Sequence, residues 1–209
     1  NFEKANEMLN ELGNTLFKKP FASSFLDGLV KIGNAFGGIA TGVLETLNPI
    51  TQMIKLVETL IKTKEKGIPL FGICLGLQLF FNQSEEFGTT RGLGLIDGDV
   101  RILPKNSKNK EILKIPNIGW FKLNLNKKFN NKKFSKFIGS IDEKDFYYFV
   151  HSYFVNPIEK ENIVATYNFG GHEIPAIVAK GNLIGCQFHP EKSGKKGLEL
   201  ISNFLKLTV

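Results

Sequence analysis

Residues 70–78 read Leu-Phe-Gly-Ile-Cys-Leu-Gly-Leu-Gln, and no other stretch restricts the fold of this chain as much. The run 70–74 has no alternation of polar and apolar residues, as in a strand whose two faces are both covered by other layers. It stops at Cys74, with Gly72 and Gly76 two residues to either side, and a helical pattern follows. A strand that turns tightly into a helix pushes one side chain out at the carboxyl edge of the sheet. Flanking glycines permit the close contacts and unusual dihedrals of such a turn. Ligands of open α/β sheets collect at that same edge. The stretch therefore predicts a sheet with a thiol at its functional rim.

The surroundings extend this pattern. Phe2, Ala5, Met8, Leu9 and Leu12 have helical spacing, Phe25 to Ile32 reads as a short strand, and 33–42 is glycine-rich. A helix follows Asn48-Pro49, with Met53, Ile54, Val57, Leu60 and Ile61 on one face, and ends at Lys66-Gly67. The run 70–74 is the next strand and 75–82 the next helix. Helix, strand, elbow and helix in succession predict an α/β fold with a mostly parallel sheet. After Gly92 short β segments dominate: LGLI, DVRIL, FKLNL, FYYFVHSYFV, NIVATYNF, IPAIVAK and LIGCQFH. Asp97-Gly98 and Lys180-Gly181-Asn182 read as hairpin turns, residues 104–114 and 126–136 as loops, and Gly194 to Leu207 as an amphipathic closing helix. With 209 residues, 42% of them hydrophobic, the chain can bury one full core, so a single domain over 1–209 is expected.

No apolar run is long enough to cross a bilayer, and the charged, amphipathic start NFEKANEMLNEL is unlike a secretory leader. Two cysteines are too few for a disulfide framework, which points to a reducing cytoplasm. The net charge of +7 is concentrated in KNSKNK, NKKFNNKKFSK and GKKG. It reads as a solvated lysine-rich surface, because no nucleic-acid-binding pattern accompanies it. Neither a membrane nor a nucleic acid is an expected partner.

Cys74 at the start of a helix is placed to ionise, and the N–H of Leu75 could hold a developing oxyanion. A cysteine nucleophile needs a base, and the base an orienting group. The chain has three histidines. His189, in GCQFHPEKS, follows an apolar strand directly, and Glu191 can fold back to its imidazole. His151, in FVHSY, alternates with strand residues and reads as structural. His172 follows Gly170-Gly171 in a turn and reads as solvent-facing, and Cys186 reads as core.

GICLGLQ, YFVHSY and QFHPEKS together resemble the class I (triad) glutamine amidotransferases, most closely the glutaminase subunits of imidazole glycerol phosphate synthase. Leu77, Lys192 and Ser193, the segment GLGLIDGDV, and Pro116 to Trp120 are typical of that group. The resemblance implies a flavodoxin-like three-layer sandwich around a mixed, mostly parallel sheet. It also implies hydrolysis of L-glutamine to glutamate and ammonia, with no cofactor and no metal. By it Cys74 is the nucleophile, His189 the general base and acid, and Glu191 the orienting carboxylate. Gln78, Glu86, Ser152 and Tyr153 match substrate-binding positions, and Lys192 a lysine near the ammonia passage. The implied partner is a (β/α)₈ cyclase subunit in a heterodimer that uses the ammonia in histidine biosynthesis.

The chain departs from the family in specific places. The family's first strand and its Asp-Tyr-Gly-x-Gly-Asn motif are not matched, and 13–48 aligns poorly. The family's Pro-Gly-Val-Gly oxyanion loop has its nearest counterpart around Gly33. Asn117 stands where the group has histidine, and Phe121 where it has asparagine. Two other readings stay open: a related subunit supplying ammonia for surface-sugar amidination, if 117 and 121 face the partner, or a module that binds glutamine with impaired catalysis.

Overall fold

The computed structural model describes residues 49–207. There the chain runs through α1 (Pro49–Glu65), β1 (Leu70–Ile73), α2 (Leu75–Leu79), β2 (Phe81–Ser84), β3 (Thr90–Arg91) and β4 (Ile96–Ile102). It continues through β5 (Asn117–Lys122), β6 (Asn124–Leu125), α3 (Ser135–Ile138), β7 (Phe146–His151), β8 (Tyr153–Pro157), β9 (Ile163–Phe169), β10 (His172–Lys180), β11 (Leu183–Cys186) and α4 (Gly194–Leu205). Two compact units divide the chain at 62/63, within α1, and every element from β1 to α4 belongs to the second. The expected helix at 2–12, strand at 25–32 and glycine-rich stretch at 33–42, Gly33 included, lie outside the described residues.

Five strands form one sheet in the order β1-β11-β10-β9-β6, four a second in the order β3-β2-β4-β8, and β5 and β7 a two-stranded ribbon. The α/β class and the mixed sheet are as expected. Among the described residues only β1 with β11 and β2 with β4 run parallel, and the other ladders are antiparallel. The cause is local: parallel neighbours need long crossovers, whereas β9, β10 and β11 are joined by the tight turns at Gly170-Gly171 and at Gly181.

Strands β10 and β11 divide their apolar residues between two cores. Val178 and Leu183 join Leu77, Phe80, Phe81, Ile96, Val100 and Val155. Ile177, Ala179, Ile184 and Cys186 join Phe149, Phe188, Leu200 and Phe204. Successive side chains point to opposite faces, so a strand covered on both sides reads as an unbroken apolar run. On the second core's side Phe71 packs against Phe137 of α3 and Phe204 of α4, with ring centres 5.5 and 5.0 Å apart. Each such buried ring contributes roughly 2–3 kcal/mol.

Several local expectations are corrected. Helix α2 stops at Leu79, because Phe81 is drawn fully buried into β2. Asp97-Gly98 is no turn. It lies inside β4, where Gly98 faces Pro157 of β8, and a Cβ there would sit 2.4 Å from the carbonyl oxygen of Asn156. The hairpin at Lys180-Gly181-Asn182 is found, joining β10 to β11. The 126–136 segment is not all loop, since a turn of 3₁₀ helix at Lys132–Phe134 leads into α3 and buries Phe134. His172 opens β10, half-buried, with Nε2 bonded to the carbonyl of Asn106 at 2.9 Å.

Candidate active site

The elbow forms as the sequence predicts, but its glycines have unequal roles. Gly72 faces Gly185 across the parallel β1–β11 ladder, and α2 folds back over the pair. A Cβ on Gly72 would lie 2.7 Å from the backbone of Gly76 and Leu77, and one on Gly185 2.7 Å from Leu77 Cδ1. Among the described residues a Cβ on Gly76 meets nothing. The unusual backbone belongs to Cys74 itself, at φ 50 and ψ −105. For a residue with a side chain that conformation is strained, and surrounding structure must hold it. Here the Cys74 N–H is tied to the carbonyl of Cys186 at 2.7 Å.

The expected ease of ionisation is corrected too. Burial pushes the Cys74 thiol up, and the carboxylates of Glu191 and Glu86 push it the same way. The Leu75 N–H and the Gln187 side chain pull it down without prevailing. Desolvation outweighs the end of a helix only five residues long. The resting thiol therefore keeps its proton at neutral pH.

His189 has a carboxylate partner. Its Nδ1 lies 2.6 Å from Glu191 Oε1. A carboxylate only accepts, so Nδ1 carries a ring proton. Pro190–Lys192 forms a 3₁₀ turn that brings Glu191 back to the ring. The backbone of His189 is held at both ends: its N–H donates to the Tyr148 carbonyl at 2.9 Å, and its own carbonyl accepts from Ser193 Oγ at 2.6 Å. Ser193 Oγ in turn accepts the Tyr148 N–H at 3.0 Å.

Behind the thiol lies a chain of buried amides. Gln78 Nε2 donates to the Tyr153 carbonyl at 2.9 Å and to Gln187 Oε1 at 3.2 Å, and Gln187 Nε2 lies 3.6 Å from Cys74 Sγ. The Tyr153 carbonyl also receives His151 Nδ1 at 2.8 Å. With Nδ1 donating, His151 Nε2 accepts from the Tyr167 hydroxyl at 2.9 Å, which accepts from Asn117 Nδ2 at 3.1 Å. Burial holds His151 down at about 4, ahead of the opposing bond to Tyr153 and a small push from His189. His151 is thus a neutral structural residue, as the sequence indicates, and Cys186 is fully buried core.

Of the other sequence candidates, Gln78 and Tyr153 lie in this network and Glu86 acts on the thiol through its charge. Ser152 is half-buried at the break between β7 and β8, where its carbonyl accepts the Leu103 N–H. Leu75 has an exposed side chain, and its backbone N–H lies beside the thiol. Lys192 is exposed, with its N–H on the His189 carbonyl at 3.0 Å. Asn117 and Phe121 do not face outward. Asn117 is buried on Tyr167, and Phe121 packs on Phe149 and Tyr167 at ring distances of 5.7 and 5.2 Å. The large apolar residues on the outward face of this ribbon are Ile118, Trp120 and Phe146, each more than half exposed, with Lys122 beside Phe146. Sequence reasoning misses Gln187 and Ser193 as parts of the site; their signal is their place in GCQFHPEKS, flanking His189. No group of three or more His, Cys, Asp or Glu side chains is placed to hold a metal among the described residues.

Imidazole glycerol phosphate synthase subunit HisH of Aquifex aeolicus is 43% identical over 182 residues, covering 87% of this chain and 78% of that protein. The subunit HisH of Caldanaerobacter subterraneus is 46% identical over 140 residues, 67% of this chain but only 63% of the relative's length. A crystal structure of a glutamine amidotransferase shares the fold at a TM-score of 0.50 and 17% identity, over 76% of this chain and 71% of that one. A family model for glutamine amidotransferase class-I matches residues 31–207. With that match spanning the elbow, the amide chain and the histidine–carboxylate pair, the chain belongs to the class-I glutamine amidotransferases.

Proposed function

We propose that this chain hydrolyses L-glutamine to glutamate and ammonia, with Cys74 as nucleophile, His189 as base and then acid, and Glu191 as orienting carboxylate. The observation that carries the reading is the 2.6 Å His189–Glu191 bond, on the same rim as a thiol held at φ 50 and acted on by the Glu191 charge. His189 Nε2 takes the thiol proton as sulfur attacks the side-chain amide of glutamine. The same proton passes to the departing nitrogen, which leaves as ammonia, and a glutamyl thioester remains. Water gives a proton to Nε2, attacks the thioester carbon, and glutamate departs as sulfur regains its proton. The Leu75 N–H is a donor for the oxyanion in both steps, worth about 3 kcal/mol in such sites. Gln78, whose two amide hydrogens are used within the protein, offers Oε1 to the substrate, and Glu86, Ser152 and Tyr153 line the same approach.

The ammonia serves a partner subunit, which we take to be a (β/α)₈ cyclase making imidazole glycerol phosphate. Support comes from the name carried by the relatives and from the exposed apolar face of Ile118, Trp120 and Phe146. Lys192, exposed beside His189, is suited to the mouth of the ammonia passage. Two free thiols, Cys74 and Cys186, fit a reducing cytoplasm. With 117 and 121 turned inward, the sugar-amidination reading loses the feature that prompted it.

The test is glutamate release by the full chain, alone and with the cyclase subunit. Cys74→Ala should abolish hydrolysis while the circular-dichroism spectrum and urea midpoint stay close to those of the unaltered protein. A glutamine-mimicking diazoketone should label Cys74. Hydrolysis retained by the Ala variant would overturn the assignment, and an unlabelled thiol in the complex would favour a binding module.

A further inference from the structure

The fully buried side chain of Gln187 takes no part in the steps above, yet it reaches the reacting atom. The direction of its amide is dictated from one end of the chain. A backbone carbonyl can only accept, so Gln78 must turn its NH₂ toward Tyr153. That NH₂ has one more hydrogen, which goes to Gln187 Oε1. Gln187 is then left with Nε2 toward sulfur.

We propose that Gln187 is a positioning residue for the nucleophile: its amide N–H holds the sulfur of Cys74 in one direction and solvates the thiolate formed during attack, while Gln78 locks Gln187 in that orientation. The inference rests on the reading of Cys74 as nucleophile. Strand geometry explains why this residue is available. Cys186 turns into the core, so its neighbour Gln187 turns the opposite way, toward the underside of the elbow. The need is electrostatic. Among the described residues, the groups acting on the thiol are the Glu86 and Glu191 carboxylates, which oppose its charge, and two N–H donors, Leu75 and Gln187. During turnover the oxyanion competes for the Leu75 N–H, which leaves Gln187, among the described residues, as the donor dedicated to sulfur.

The experiment is the pH profile of Cys74 alkylation by iodoacetamide on the full chain, with Gln187→Met and Gln187→Glu as variants. The buried Cys186 is silent in this assay. Met removes the donor at similar volume. Glu keeps an acceptor for Gln78 but turns an oxygen toward sulfur. Both profiles should move to higher pH by about one unit, so that alkylation below the midpoint slows roughly tenfold. The high-pH plateau should stay within about twofold of the unaltered protein. Superimposed profiles would overturn the proposal, as would an equal loss at every pH, which signals altered access. Should neither variant fold, the side-chain amide ¹⁵N–¹H resonance of Gln187 in the unaltered chain gives the answer. It should shift with the Cys74 titration and become pH-independent in Cys74→Ala; a resonance that ignores the titration refutes the idea. An active, diazoketone-labelled enzyme with unmoved profiles removes this inference alone, whereas an inactive, unlabelled one removes the catalytic reading.

Discussion

A buried neutral histidine makes stability depend on pH in a way that can be worked out in advance. His151 ionises near the ordinary histidine value of 6.5 when unfolded and at about 4 in the fold, chiefly because burial disfavours the charged ring. The unfolded state therefore binds a proton between those values while the native state does not, so stability falls as pH falls. At pH 7.5 both states are neutral at this ring and the effect is negligible. At pH 4.5 the unfolded ring is almost fully protonated and the native one mostly neutral, a difference of roughly 2–3 kcal/mol. Carboxylates contribute their own acid loss, so the measurement is a comparison with His151→Gln, which keeps an acceptor for the Tyr167 hydroxyl and does not titrate. Urea midpoints of both proteins at half-unit steps from pH 7.5 to 4.5 give the two slopes. The unaltered chain should lose roughly 2–3 kcal/mol more than the variant, with the divergence opening below pH 6.5. Parallel curves would show that the native ring protonates at its ordinary value, and the buried Tyr153–His151–Tyr167 chain would then be misdescribed.

Three further outcomes rest on close contacts and exposure. Gly197→Ala would bring a Cβ to 1.9 Å from the Pro190 carbonyl oxygen, so urea denaturation should register a loss of about 3 kcal/mol. Because that turn carries Glu191, glutamate release should fall with it. Ser193→Ala removes the hydroxyl bridging the Tyr148 N–H and the His189 carbonyl. It should cost about 1–3 kcal/mol and lower kcat more than it alters KM. Trp120→Ala, on the exposed ribbon face, should leave the urea midpoint within about 1 kcal/mol and weaken binding of the proposed partner subunit by about 2 kcal/mol in calorimetry.

The parts of the site legible in the sequence are those whose partners are close along the chain. His189 and Glu191 are two residues apart and one turn joins them; the elbow needs only an apolar strand, a helix and, within the strand, Gly72 where the helix packs on it. Tertiary structure decided the rest. Gln78 meets Tyr153 across 75 residues and Gln187 across 109, and nothing in local spacing marks a glutamine whose amide is pinned by a distant carbonyl. The phase of β5 is the same kind of question. Alternation places 117 and 121 opposite 118 and 120, but only packing against Tyr167 and Phe149 chooses which pair is inside. Cys74 is the plainest case, because its position at a helix start points to easy ionisation. Burial and the two carboxylates reverse that, since desolvation is a property of everything packed around an atom rather than of its neighbours in the chain.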